Sequence, residues 1–237
     1  MGIKAVVFDL DDTLYLEKTY ALSGFKAVDQ WVRDRHGAGG FYETAASLLH
    51  SGVKTLIFNR TLEQLDISYD ERLIAELVEF YRSHRPDIAL LEDAGWVLAN
   101  LDKDVKLGII SDGYLVAQQQ KVLALNLADA FHAIVLTDAL GRDHWKPSPL
   151  PYETFSKQTG IPHFQCLYIG DNAAKDFVTA KRLGWTTVQI SREQGIYAAV
   201  QAETSHQAHY QIGDLKELAG LPALAHLFKK EVKAVHG

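Results

Sequence analysis

Apolar residues follow two rhythms along this chain. Five short runs are continuously apolar and rich in β-branched residues: Lys4 to Phe8 (KAVVF), Val105 to Ile110 (VKLGII), Ala133 to Thr137 (AIVLT), Cys166 to Ile169 (CLYI) and Thr186 to Ile190 (TTVQI). Runs that do not alternate with polar positions predict strands buried on both faces, as in a parallel sheet covered by helices. Between the later runs the period becomes helical. Residues 114–127 bring Val116, Leu123 and Leu127 toward one face. Residues 174–183 carry Phe177, Ala180 and Lys181 up to Gly184, which suits the position just past a helix end. Strand and helix in turn predict an α/β fold, a doubly wound parallel sheet.

The stretch after the first strand breaks this alternation. Leu22, Phe25, Val28 and Val32 recur every three or four residues, and the run ends in Arg33, Arg35, His36 and Gly37, good signals for a helix C-terminus. A second amphipathic stretch, 70–84, carries Leu73, Leu77, Val78 and Tyr81 before Pro86 stops it. The expected organisation is a core formed by residues 1–16 and 87–237, interrupted by an all-helical insertion over 17–86. Such an insertion is too long for a structureless loop. Near the end, Asp214 and Glu217 have the spacing of a capping box ahead of a helix through Leu218.

Composition narrows the functional classes. The chain has 237 residues, 47% of them hydrophobic and 23% charged, which is globular stock able to bury roughly 70% of its unfolded surface. A net charge of −6 argues against a general nucleic-acid binder. No stretch reaches the roughly 18 apolar residues of a membrane span, and the first apolar run is too short for a signal peptide. A cytoplasmic protein is therefore expected. The one cysteine, Cys166, can form neither an internal disulfide nor a metal-binding pair and reads as a core residue. His206 and His209 have helical spacing but no acidic or cysteine neighbour to complete a ligand set.

Four segments carry candidate chemistry. The first strand runs into Asp9-Leu10-Asp11-Asp12-Thr13, where Asp9 and Asp11 leave an extended chain on one side. Two such carboxylates serve either as nucleophile and acid/base beside a divalent metal or as a solvated acidic loop. Gly170-Asp171-Asn172-Ala173-Ala174-Lys175-Asp176 follows the fourth strand; the glycine allows a sharp turn, and Asp171 is either an oxygen ligand suited to Mg²⁺ or a helix cap. Ser111-Asp112-Gly113 opens a helix, as an anion site or as a plain N-cap. Lys146, in Trp145-Lys146-Pro147-Ser148-Pro149, lies beyond the third strand between stiffening prolines, and Trp145 beside it is a candidate substrate contact. All four follow the C-terminal ends of separate strands, the edge where open α/β sheets place ligands. That coincidence favours the chemical readings jointly.

In these motifs the chain resembles the haloacid dehalogenase superfamily over its whole length. DLDDTL is similar to the family's first motif, ISDG to its second, WKPSP to its third and GDNAAKD to its acidic fourth. Asp12 stands where many members have glycine. The resemblance implies a Rossmann-like core with a helical C1-type cap at 17–86. It implies a Mg²⁺-dependent phosphatase acting on a small phosphorylated metabolite, with no nucleic-acid or membrane partner. Asp9 would be the nucleophile and Asp11 the acid/base. Ser111, Asp112, Gly113 and Lys146 would bind the phosphoryl group. Asp9, the backbone carbonyl of Asp11, and Asp171 would hold the metal, with Asp176 in support. Within the same superfamily a phosphomutase, a 2-haloacid dehalogenase and a non-catalytic binding protein are the alternatives. The dehalogenases lack a carboxylate at the position of Asp11.

Overall fold

The structure, a computed structural model, describes residues 2–195 and 203–229. The chain divides into two compact units, Met1–Glu17 with Ala89–Gly237, and Lys18–Ile88. The first unit holds six strands: β1 (Ala5–Phe8), β2 (Lys106–Ser111), β3 (Ala133–Leu136), β4 (Cys166–Gly170), β5 (Thr186–Ile190) and β6 (Tyr210–Ile212). They form one sheet in the order β3-β2-β1-β4-β5-β6, and every pairing is parallel. From β1 the chain winds out through β2 and β3, then returns to build the other half from β4. The order therefore reverses between β1 and β4, and such a switch point opens a crevice at the strands' C-terminal ends. Register brings the ends level: Phe8 lies beside both Ile109 and Ile169.

The five apolar runs are β1 to β5. The sixth strand was not expected because it is a three-residue edge strand, partly solvated, with no apolar run to announce it.

The second unit is helical: α1 (Glu17–His36), α2 (Phe41–His50), α3 (Ile57–Gln64) and α4 (Glu71–Ser83). Phe25, Val28, Val32, Phe41, Phe58, Leu62 and Leu77 make its core, with edge-on ring contacts such as Phe58–Tyr81 at 5.4 Å. The N-cap of α2 is Gly40, which has no side chain to offer. Asp29 of α1 substitutes for it, accepting from Phe41 N at 2.7 Å and from Arg33 Nε at 2.7 Å.

Four further helices flank the sheet segments: α5 (Glu92–Asn100), α6 (Leu115–Ala124), α7 (Leu150–Thr159) and α8 (Phe177–Arg182). Gly184, with φ 85, follows α8 as the sequence suggests. Helix α6 corrects its predicted face. Val116 and Leu123 are 48% and 63% exposed, while Ala117, Gln118, Lys121 and Val122 are buried. A polar pair turned inward defeats a reading by hydrophobic period, and its reason lies in the site below. The capping box at Asp214 and Glu217 is formed, though it opens a short 3₁₀ turn, Leu215–Gly220. Cys166 is buried in β4, and burial pushes its thiol up to about 12. Among the described residues no helix is long and apolar enough to cross a membrane.

One buried ion pair braces the loop that carries Asp9 to Thr13. Arg192, just past β5, pairs with Asp93 of α5 and donates through its other terminal nitrogen to Thr13 O at 2.6 Å. Asp93 also accepts from Leu215 N at 2.8 Å. Replacing Asp93 by alanine would strand the guanidinium in a nearly dry position. Chemical denaturation should show a loss of about 3–5 kcal/mol.

Candidate active site

Backbone register delivers the first carboxylate. Asp9 N donates to Ile169 O at 2.7 Å, extending the β1–β4 ladder by one residue, so Asp9 emerges at the switch point. Its carboxylate meets Lys146 Nζ at 2.6 Å. The same ammonium lies 2.8 Å from Asp176 Oδ1 and donates to the Tyr168 hydroxyl at 2.8 Å. Lys146 has a side chain 0% exposed, so nothing in solvent competes for this charge. Burial opposes its ionised form, but Asp176 and Asp9 outweigh that and hold it charged.

Oxygens of Asp9, Asp171 and Asp176 all lie within 4.8 Å of one another, and all three residues are buried. With all three carboxylates ionised, one ammonium among them would leave two negative charges uncompensated, and the carboxyls resist that state. Loss of water, then repulsion from Asp176, lifts the Asp9 carboxyl to about 6 against the pull of Lys146. Burial together with Asp9 and Asp176 pushes Asp171 up to about 9. Asp171 does not cap a helix: α8 begins at Phe177, after Asp176. A dry cluster of hard oxygen donors short of two positive charges fits a divalent cation such as Mg²⁺.

Gly170 is needed for close approach, not for a turn. It continues β4, and a Cβ there would lie 2.5 Å from Asp176 Oδ2. The Asp176 carboxylate thus packs on bare backbone, where it also accepts from Asn172 N at 2.9 Å.

Asp11 goes elsewhere. Lys121 Nζ lies 2.6 Å from its Oδ1, the Tyr15 hydroxyl donates to the same oxygen, and Gln118 Nε2 donates to Oδ2 at 2.8 Å. Burial works against ionisation here, but the Lys121 charge and these hydrogen bonds win and hold the carboxyl below its usual range. Half-buried Glu17 shares this neighbourhood; loss of water and the Asp11 charge push it up to about 7. Asp12 adopts φ 50, the left-handed region that glycine enters freely and that aspartate tolerates better than most residues. Its carboxylate accepts from Glu17 N at 2.9 Å.

Ser111 ends β2 and is buried; its Oγ faces Gln118 Nε2 at 2.9 Å. Asp112 ties four segments together. It accepts from Thr137 Oγ1 at 2.8 Å, Lys146 N at 3.0 Å and Lys175 Nζ at 2.9 Å. Its carboxylate is thereby committed to structure, and Lys175 is brought to the edge of the site. Gly113 adopts φ 136 beside it. At the start of α6, Leu115 N already donates to Asp138 Oδ2 at 2.9 Å, and Trp145 Nε1 donates to Asp138 Oδ1 at 3.2 Å.

Asp9, Lys146, Asp171 and Asp176 therefore meet directly, whereas Asp11 and Ser111 are joined through Gln118. Sequence reading missed Tyr15, Gln118, Lys121, Tyr168 and Lys175. Only Lys175 had a signal, its place inside GDNAAKD.

Residues 6–190 match the model of the haloacid dehalogenase-like hydrolases. The chain belongs to that family. A glyceraldehyde 3-phosphate phosphatase of Pyrococcus furiosus is 30% identical over 227 residues, covering 91% of each chain. Among solved structures, HAD-hydrolase YfnB from Bacillus subtilis, bound to magnesium, aligns with TM-score 0.64 at 17% identity over 92% of this chain and 98% of that one. A 2-haloacid dehalogenase from Pseudomonas syringae pv. Tomato aligns equally well, with TM-score 0.64 at 23% identity over 94% and 99%. Haloacid dehalogenase-like hydrolases thus share this fold across different reactions, and the chemistry must be argued from the site.

Proposed function

We propose that this hydrolase is a Mg²⁺-dependent phosphatase that removes the phosphoryl group of a small metabolite through an aspartyl-phosphate on Asp9. The observation that carries the reading is the buried Asp9–Lys146–Asp176 contact beside Asp171 at the switch point. Asp9, the backbone carbonyl of Asp11, and Asp171 would hold the cation. When bound, it supplies positive charge that offsets repulsion between an attacking carboxylate and a phosphoryl dianion. An Asp9 oxygen forms the new bond to phosphorus as the bond to the leaving oxygen breaks, and that oxygen takes a proton from Asp11. The arriving dianion raises the proton affinity of Asp11, which Lys121 otherwise keeps ionised. Asp11 then takes a proton from the water that attacks phosphorus, releasing phosphate and restoring Asp9. Lys146 and Ser111 would grip the remaining phosphoryl oxygens.

In this reading the helical unit is the substrate-selecting cap. Glyceraldehyde 3-phosphate is the first substrate to test, because it is the one named for the Pyrococcus furiosus relative. A departing halide needs no proton whereas a departing alkoxide does, so a carboxylate placed to protonate the leaving group, Asp11, favours the phosphatase over the dehalogenase.

Two results are expected on removing the metal. Exhaustive chelation should stop hydrolysis of an aryl phosphate, and Mg²⁺ should restore it; full activity in the chelated protein would contradict the reading. Stability should also respond to pH. The carboxyls of Asp9, Glu17 and Asp171 sit at about 6, 7 and 9 in the folded chain, above their unfolded values. The folded state then holds extra protons, and stability falls as pH rises through this range. The chelated protein should melt at a lower temperature at pH about 9 than at pH about 6, and Mg²⁺ should raise the melting temperature more at the higher pH.

A further inference from the structure

The buried face of α6 presents two polar side chains to the site, and both meet groups to which the proposed reaction gives work. Lys121 Nζ, with Tyr15, fixes Oδ1 of Asp11, leaving Oδ2 to Gln118. Gln118 Nε2 lies 2.8 Å from that oxygen, 2.9 Å from Ser111 Oγ and 2.5 Å from Asp112 O. One amide nitrogen therefore sets the separation between the acid/base oxygen and the hydroxyl that would grip phosphate. The amide cannot be reversed, since its oxygen would then face a carboxylate. With the nitrogen inward, Gln118 Oε1 is buried without a hydrogen-bond partner among the described residues, so this orientation is kept at a cost. Because the NH₂ edge faces Ser111 Oγ, the serine's own hydrogen turns away from Gln118; its contact in the structure is a long one to Asp112 O, at 3.5 Å, which an arriving anion would replace. Gly113 is what makes room: a Cβ there would lie 2.8 Å from Gln118 Nε2.

We propose that Gln118 and Lys121 are positioning residues, which hold Asp11 and Ser111 so that proton delivery to the leaving oxygen and the grip on the phosphoryl group occur in one geometry. The proposal rests on the phosphatase reading above. Lys121 acts through Asp11, and Gln118 acts through both Asp11 and Ser111.

The test compares kcat/KM on an alkyl phosphate, a poor leaving group, with that on nitrophenyl phosphate, a good one, in the presence of Mg²⁺. This parameter covers the steps through departure of the leaving group. Removal of a general acid costs about 10² to 10⁴-fold, so Lys121→Met should lose about 10² on the alkyl ester and only a few-fold on the nitrophenyl ester. Lys121→Arg should recover part of the alkyl activity. In an Asp11→Asn background, Lys121→Met should cost no more than about threefold, because the group it positions has gone. Gln118→Met should raise KM for both esters in addition to the alkyl-selective loss, and exposed Gln119→Met should change neither. Thermal unfolding identifies any variant that fails to fold; Lys121→Arg, which keeps the charge, then carries the leaving-group comparison. Equal losses on both esters, or an undiminished Lys121→Met effect in the Asp11→Asn background, would overturn the proposal while leaving the phosphatase reading intact. A wild-type protein inactive on both esters would remove that reading and this proposal with it.

Discussion

Asp9→Asn is expected to abolish turnover while leaving the protein folded. The amide keeps the shape of the side chain but cannot attack phosphorus, so the covalent route closes and kcat should fall by more than about 10⁴-fold. Stability should move little. Wild-type Asp9 is a carboxylate buried against Asp171 and Asp176, and its neutral replacement relieves part of that repulsion while Lys146 keeps its contact with Asp176. A melting temperature equal to the wild type or higher, alongside lost activity, would separate a chemical role from a structural one. A variant that keeps more than about a tenth of wild-type kcat would place the nucleophile elsewhere.

Lys146→Met should damage both chemistry and fold. The ammonium is the counter-charge for Asp9 and Asp176, and its side chain is wholly buried. Breaking such a cluster from one side costs about 3–5 kcal/mol. For a chain of this length each kcal/mol is worth about 2–4 °C, so the melting temperature should drop by about 6–20 °C. The sign of the pH effect follows from the two carboxylates left behind. Without the ammonium they hold protons more tightly in the folded state, so the deficit should grow as pH rises from about 5 to about 8. Activity should be lost across that range, since a phosphoryl dianion would meet Asp9 and Asp176 without the ammonium that pairs with both. A pH-independent loss of stability would mean that packing of the lysine stem, not its charge, holds this part of the core.

How much of this was legible in the sequence depended on which physical rule placed each residue. Strands β1 to β5 could be read because strands covered on both faces need unbroken apolar runs; β6, at an edge, has no such need. The meeting of Asp9, Lys146, Asp171 and Asp176 was foreshadowed by their positions after strand ends, because a parallel sheet gathers those ends at one edge. Gln118 and Lys121 were invisible for the opposite reason. Helical period assigns polar residues to solvent, and here α6 spends its buried face on Asp11 and Ser111 while Val116 and Leu123 stand exposed. The role of Gly170 was misread because a glycine that admits a carboxylate looks, in sequence, like a glycine that makes a turn. Asp112 was read within an anion site of hydroxyl and backbone N–H groups; what could not be read is that its carboxylate oxygens are held by Thr137, Lys146 and Lys175, contacts of long range that no local pattern announces.

The central claim is that Asp9 carries the phosphoryl group during turnover. The most direct measurement is an acid quench of the wild-type protein hydrolysing a phosphate ester with Mg²⁺, followed by digestion and mass spectrometry of the peptide that contains Asp9. The account predicts one added phosphoryl group on Asp9, present with substrate and absent both without it and in Asp9→Asn. Steady hydrolysis with no phosphorylated Asp9 at any quench time, or a phosphoryl group trapped on a different side chain, would contradict it.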